Sequence, residues 1–180
     1  MITVALVGDV MLGRRVTDAL CTLRSEQLWG DVLPLVISAD LRIVNLECAI
    51  TDHKQPWTRT PKVFHFRADS SAVEVLKAAR VDVCSLANNH TLDFEERGLL
   101  DTMEHLKAAG IWYAGAGHNR EEAARPALLA ARPADRPSRV ALLAFTDNEP
   151  PFAAESDHPG TNYLPASMEP DGLGRVERWR

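Results

Sequence analysis

The chain has no apolar run approaching the roughly 20 residues that a membrane-spanning helix needs. It holds only three cysteines in 180 residues, Cys21, Cys48 and Cys84, widely spaced and without a Cys-x-x-Cys pair. An odd, scattered set excludes a disulfide framework, so each thiol is expected to act as a small hydrophobe in a reducing compartment. Aromatic residues make up 6% of the chain, and the four tryptophans, Trp29, Trp57, Trp112 and Trp179, do not alternate with a basic stripe. With a net charge of −5, this argues against nucleic acid as a partner. Gly115-Ala116-Gly117 lacks the third glycine and the later acidic residue of a dinucleotide fingerprint. No basic leader with an apolar stretch follows Met1, so the expected location is cytoplasmic.

What is present is an ordinary globular composition, 46% hydrophobic and 25% charged, of a length that suits one domain over residues 1–180. Short β-branched apolar runs predict strands over 4–7, 41–46, 81–87 and 111–114, with a weak edge strand over 62–67. Helical spacing predicts helices over 17–23, 29–39, 70–80 and 95–109. Ser70 or Ser71 is the expected cap of the third, and Gly110 the stop of the fourth. A short helix starts at Glu121 and ends at Pro126. Two further strands, 126–132 and 139–145, are joined by a turn over 133–138. Residues 147–171 read as a long Pro-rich loop, and a last helix begins at Gly172. Alternating strands and helices imply an α/β fold with a mostly parallel sheet.

In such a sheet the site lies beyond the carboxyl ends of the strands. Those ends carry Gly8-Asp9, Asn45-Leu46-Glu47, Asn88-Asn89-His90 and Thr146-Asp147-Asn148. Carboxylate, amide oxygen and imidazole together suit Mn, Fe, Zn or Mg. Each residue alone also reads as a turn former, a cap or a solvated loop residue; the joint pattern is the signal.

The blocks Val7-Gly8-Asp9-Val10-Met11-Leu12-Gly13-Arg14, Asn45-Leu46-Glu47 and Ser85-Leu86-Ala87-Asn88-Asn89-His90-Thr91-Leu92-Asp93 resemble the CapA family of capsule and poly-γ-glutamate synthesis proteins. Gly115-Ala116-Gly117, Asn119 and Glu121-Glu122-Ala123 extend the likeness to about residues 2–147. That family is similar to calcineurin-like metallophosphoesterases. The resemblance implies a four-layer α/β/β/α metallophosphatase-like sandwich and a centre of two divalent ions. It implies Asp9, Glu47 and Asn89 as metal ligands and His90 as the catalytic group beside the leaving oxygen. Asn88 and Arg14 are the candidate substrate contacts, Arg14 as a fork for phosphate or carboxylate. Arg67 is a weaker candidate clamp, and Asp147 a further possible ligand. Two departures stand out. Met11 occupies the third position of the superfamily's Asp-x-His motif. The later His-Trp-Gly-type and Gly-His-His-x-His-type motifs do not occur in these 180 residues. The expectation is therefore an incomplete N-terminal portion, lacking the rest of the domain and inactive alone. It would bind an anionic small molecule or polymer, either as a metal-dependent hydrolase or as a non-catalytic accessory protein of polymer synthesis or export.

Overall fold

The computed structural model describes residues 2–131 and 138–165. The predicted turn over 133–138 falls almost wholly outside these residues, and the predicted helix from Gly172 does so entirely. The centre of the fold is a parallel four-stranded sheet. Its strands are β1 (Val4–Val10), β2 (Leu41–Leu46), β5 (Val83–Ser85) and β6 (Trp112–Ala114), side by side in that order. Between them in the chain lie α1 (Arg15–Leu20), α2 (Ser25–Trp29), α3 (Leu33–Ser38), β3 (Ala49–Ile50), β4 (Arg67–Ala68), α4 (Val73–Ala78) and α5 (Glu95–Ala108). After β6 come β7 (Ala116–Gly117), α6 (Arg120–Ala123), a β8–β9 antiparallel hairpin (Ala127–Ala131 with Ser138–Leu142) and β10 (Gly160–Thr161). The expected mostly parallel α/β fold is present, and the arrangement agrees with part of a metallophosphatase-like sandwich.

Strand alternation divides the core into two faces. Val44, Leu46 and Cys84 point to the side covered by the helices, where Leu76, Leu99, Met103 and Leu106 join them. Leu41, Ile43, Val83 and Ala114 point to the other side, against Ala127 and Leu129 of the hairpin. On β1, Leu6 is 76% exposed.

Several elements differ from expectation for local reasons. The helix expected over 29–39 is broken: Gly30 takes φ 57 after α2, a 3₁₀ turn spans Gly30–Val32, and Pro34 opens α3. The strand expected over 62–67 shrinks to Arg67–Ala68, which pairs in parallel with Ala49–Ile50. Neither Ser70 nor Ser71 caps the third helix. Asp69 sits at that position without a side-chain capping bond, and the Ser70 hydroxyl donates instead to Asp52 Oδ2 at 2.9 Å. The described part of the Pro-rich segment is packed rather than a free loop. A 3₁₀ turn, Pro150–Phe152, buries Phe152 completely, and β10 pairs with β7. Burial of one large aromatic and a short strand pairing outweigh the absence of any periodic pattern.

Candidate functional site

The site starts from a backbone irregularity. β1 and β2 run in register from Val4 to Leu6, then slip by one residue before Asp9 pairs with Asn45. Gly8, at φ 78, lies within this bulge. The slip brings Asp9 into one row with Asn45 and Ser85 across three strands. Without it, Asp9 would sit opposite Leu46. Asn45 Nδ2 donates to Asp9 Oδ1 at 2.9 Å. This bond, and then a hydrogen bond with Glu47, hold the Asp9 carboxyl below its ordinary range. Glu47 follows directly on β2, and desolvation, then the bond to Asp9, push its carboxyl above its ordinary range. The two carboxyl groups are therefore in contact, one favouring the charged form and one the protonated form.

The segment between β5 and α5 supplies the imidazole. Asn88 is buried, and its side-chain amide is bonded on both its nitrogen and its oxygen. Its Nδ2 donates to Asn45 Oδ1 at 3.0 Å and to the Leu46 carbonyl at 2.9 Å. Its Oδ1 accepts from His90 N at 3.0 Å, and Thr91 Oγ1, whose hydroxyl also faces the Leu86 carbonyl, lies 3.1 Å from it. Asn88, expected to touch substrate, is instead a bracket that ties the His90 turn to the end of β2. His90 then presents Nε2 to Glu47 Oε1 at 3.8 Å, while its Nδ1 meets Asp93 Oδ2 at 2.6 Å. Asp93 is fully buried and also accepts from Phe66 N at 2.6 Å. The two ring nitrogens of His90 thus face two different carboxyl groups, Asp93 through Nδ1 and Glu47 through Nε2.

Loop residues complete the surroundings. The Phe66 ring stacks on His90 with centroids 3.9 Å apart. The Arg14 guanidinium lies over the same Phe66 ring at 4.6 Å and over Phe64 at 5.3 Å. This places the expected anion clamp, on an exposed residue, next to the imidazole. Lys62 is 6% exposed in its side chain and donates to the Asn89 carbonyl at 2.6 Å. Asn89 thus joins the cluster through its backbone. Met11 accepts from Gly13 N through Sδ at 3.1 Å. Arg67, the weaker clamp, is spent on the Thr51 carbonyl and Asp69 Oδ1, both at 2.6 Å. Asp147 is exposed.

Residues 3–178 match the family of bacterial capsule synthesis proteins termed PGA_cap. The chain belongs to that family. It is 30% identical over 174 residues to the capsule biosynthesis protein CapA of Bacillus anthracis, covering 96% of this chain and 40% of that protein. It is 32% identical over 194 residues to a probable polyglutamine synthesis accessory protein of Mycobacterium tuberculosis, covering 89% and 50% respectively. The PGA biosynthesis protein CapA of Bacillus subtilis is 28% identical over 170 residues, covering 94% and 43%. The chain therefore spans about half or less of the length of these relatives.

Among the described residues, Asp9, Glu47 and His90 do not bring three ligand atoms within 4.8 Å of one another. Asp9 and Glu47 form a contacting carboxyl pair, and an imidazole nitrogen lies 3.8 Å from one of them. A separate exposed trio, Glu155, Asp157 and His158, brings three ligand atoms within 4.8 Å of one another, a common surface arrangement. Sequence reading placed Asn45 at the site edge without a role and did not name Lys62, Phe66 or Asp93 as site residues. Of these three, Asp93 carried a local signal, three positions after His90 in the most family-specific block.

Proposed function

We propose that the chain carries the ion-binding and proton-handling part of a hydrolase-type site. Its substrate would be an anionic phosphoryl or carboxyl compound of capsule or poly-γ-glutamate polymer biosynthesis. The observation that supports this reading is the Asp9–Glu47 carboxyl pair at the strand ends with His90 Nε2 beside it. Asp9 and Glu47 would hold a divalent ion, Mn, Zn, Fe or Mg. When bound, that ion would supply Lewis-acid polarisation of the substrate oxygen and of a water. The remaining roles fall to the protein. Asp93 holds His90 through Nδ1, so that Nε2, on the side of Glu47, is the nitrogen that would take or return a proton at the reacting oxygen. Phe66 closes one face of the imidazole and excludes water from it. Arg14, held over Phe64 and Phe66, offers its remaining N–H groups to an anionic oxygen.

The name of the Mycobacterium tuberculosis relative favours a second reading, an accessory role without turnover. Calorimetric titration of the whole chain with Mn²⁺ or Zn²⁺ separates the possibilities. One equivalent is expected to bind, with affinity about tenfold or more weaker in Asp9→Asn and Glu47→Gln. Equal affinity in both variants would remove the carboxyl pair from the site, and two tight equivalents would overturn the one-ion count. Phosphoester turnover abolished by His90→Ala supports the hydrolase. Ion binding with no turnover in a longer family protein supports the accessory reading.

A further inference from the structure

We infer that Arg14 decides which anions the site accepts: strain in its own backbone aims the guanidinium as a fork for a carboxylate on a short hydrocarbon arm. This assignment rests on the proposed substrate reading and narrows it from phosphoryl or carboxyl to carboxyl. Arg14 has φ 55 and ψ −129, the angles of the first central residue of a type II′ turn. Val16 N closes the turn by donating to the Gly13 carbonyl at 3.1 Å. Glycine dominates that place in such turns, because a Cβ there strains the chain. Contacts on Gly13 hold the turn where it is. Gly13 N donates to Met11 Sδ at 3.1 Å, and a Cβ on Gly13 would stand 2.5 Å from the Arg67 carbonyl oxygen.

The side chain shows what the strain serves. The guanidinium lies 4.6 Å from the centre of the Phe66 ring and 5.3 Å from that of Phe64. It makes no hydrogen bond or ion pair with another described residue, and Arg14 is exposed. A guanidinium stacked on rings keeps its donors in its own plane, where two of them can meet both oxygens of one carboxylate. Lys62 and Arg67, the cations of the 62–67 segment, are spent inside the protein. Lys62 serves the Asn89 carbonyl, Glu149 and Asp93, and Arg67 serves the Thr51 carbonyl and Asp69. One unspent charge matches a carboxylate better than a phosphate dianion. Apolar surface adds a second requirement, since Phe64 is 57% and Val63 86% exposed. Hydrocarbon beside the fork favours a ligand with methylene groups next to its carboxylate. His90 stacks on the same Phe66 ring with centroids 3.9 Å apart, so Arg14 is held at a fixed remove from the imidazole. The fork therefore grips a handle on the substrate rather than the reacting bond.

The test is titration of the whole chain with butyrate, acetate and inorganic phosphate, at constant ionic strength and with a chelator present. Backbone amide shifts of residues 13–16 and 63–66 report binding by NMR. Wild type is expected to bind butyrate about threefold or more tightly than acetate, through methylenes set against Phe64 and Val63, and more tightly than phosphate. Arg14→Gly is expected to weaken butyrate about tenfold or more. Arg14→Lys, which keeps the charge without the planar fork, is expected to weaken it as well. Arg14→Ala keeps the strain without the stacking, and is expected to melt at least about 2 °C below Arg14→Gly, which relieves it. Phosphate bound as tightly as butyrate overturns the carboxylate assignment, and butyrate bound no better than acetate overturns the hydrocarbon arm. Full affinity in Arg14→Gly, or no saturable shift in wild type with any of the three probes, overturns the role of Arg14. Equal affinity in Arg14→Lys overturns the fork, and equal melting of the glycine and alanine variants overturns the strain. Each of these results leaves the ion-binding reading standing, since that is decided by Asp9→Asn and Glu47→Gln titrations.

Discussion

Phe152→Ala tests whether residues 147–165 are part of the packed structure that supports the site. Phe152 has no exposed surface and meets Trp57 edge to face, with ring centroids 4.8 Å apart and an interplanar angle of 74°. Trp57 is itself 2% exposed, and the Lys62 ammonium lies 5.3 Å from the Phe152 ring. Truncation removes the six ring carbons from a closed pocket, for which core Phe→Ala changes cost roughly 3–5 kcal/mol. The lost aromatic pair accounts for about 0.5–1.5 kcal/mol within that range. For a chain of this size, roughly 2–4 °C per kcal/mol converts the loss to a melting temperature lower by about 6–20 °C. Urea unfolding followed by tryptophan fluorescence reads the free energy, and calorimetry reads the temperature. Phe152→Leu, which keeps most of the volume, is expected to cost under about 1.5 kcal/mol. A loss below about 1 kcal/mol for Phe152→Ala would mean the segment can leave without consequence. The packed description of residues 147–165 would then be wrong.

Two further expectations concern other regions. Cys21 is exposed, whereas burial pushes the Cys48 thiol up to about 12 and also raises that of Cys84. A disulfide exchange reagent at a pH of about 8 is therefore expected to label one thiol in the native protein and all three after denaturation; rapid native labelling of two would contradict the burial. A Cβ at Gly13 would stand 2.5 Å from the Arg67 carbonyl oxygen, a backbone atom that cannot move aside cheaply. Gly13→Ala is expected to cost about 1–3 kcal/mol by thermal unfolding and to displace Arg14. A wild-type melting temperature would refute that close approach.

Much of the framework was legible because it rests on local periodicity. The strand over 41–46 lies where expected, as does the long helix begun at Glu95, whose Leu99, Met103 and Leu106 share a buried stripe. The misread elements were those governed by something other than period. Gly30 and Pro34 interrupt an apolar stripe that runs on across them. Phe152 and β10 find their partners far along the chain, with no alternation of their own. At the site, clustering at strand ends picked out Asp9, Glu47 and His90, which the fold gathers into one network. The same clustering marked Asn88 for substrate, whereas its amide is consumed within the protein.

The amino-acid sequence alone determined the order of strands and helices, the edge at which polar groups collect, and the three-residue spacing that lets Asp93 meet His90. All of these depend on neighbours within a turn or on a repeating pattern. Tertiary structure alone decided that a bulge at Gly8 moves Asp9 beside Asn45. It also decided that Lys62 is the cation facing Asp93 and Glu149, 87 residues away. Such contacts join segments with no periodic relation to each other. Whether they form depends on how the whole chain excludes water around them.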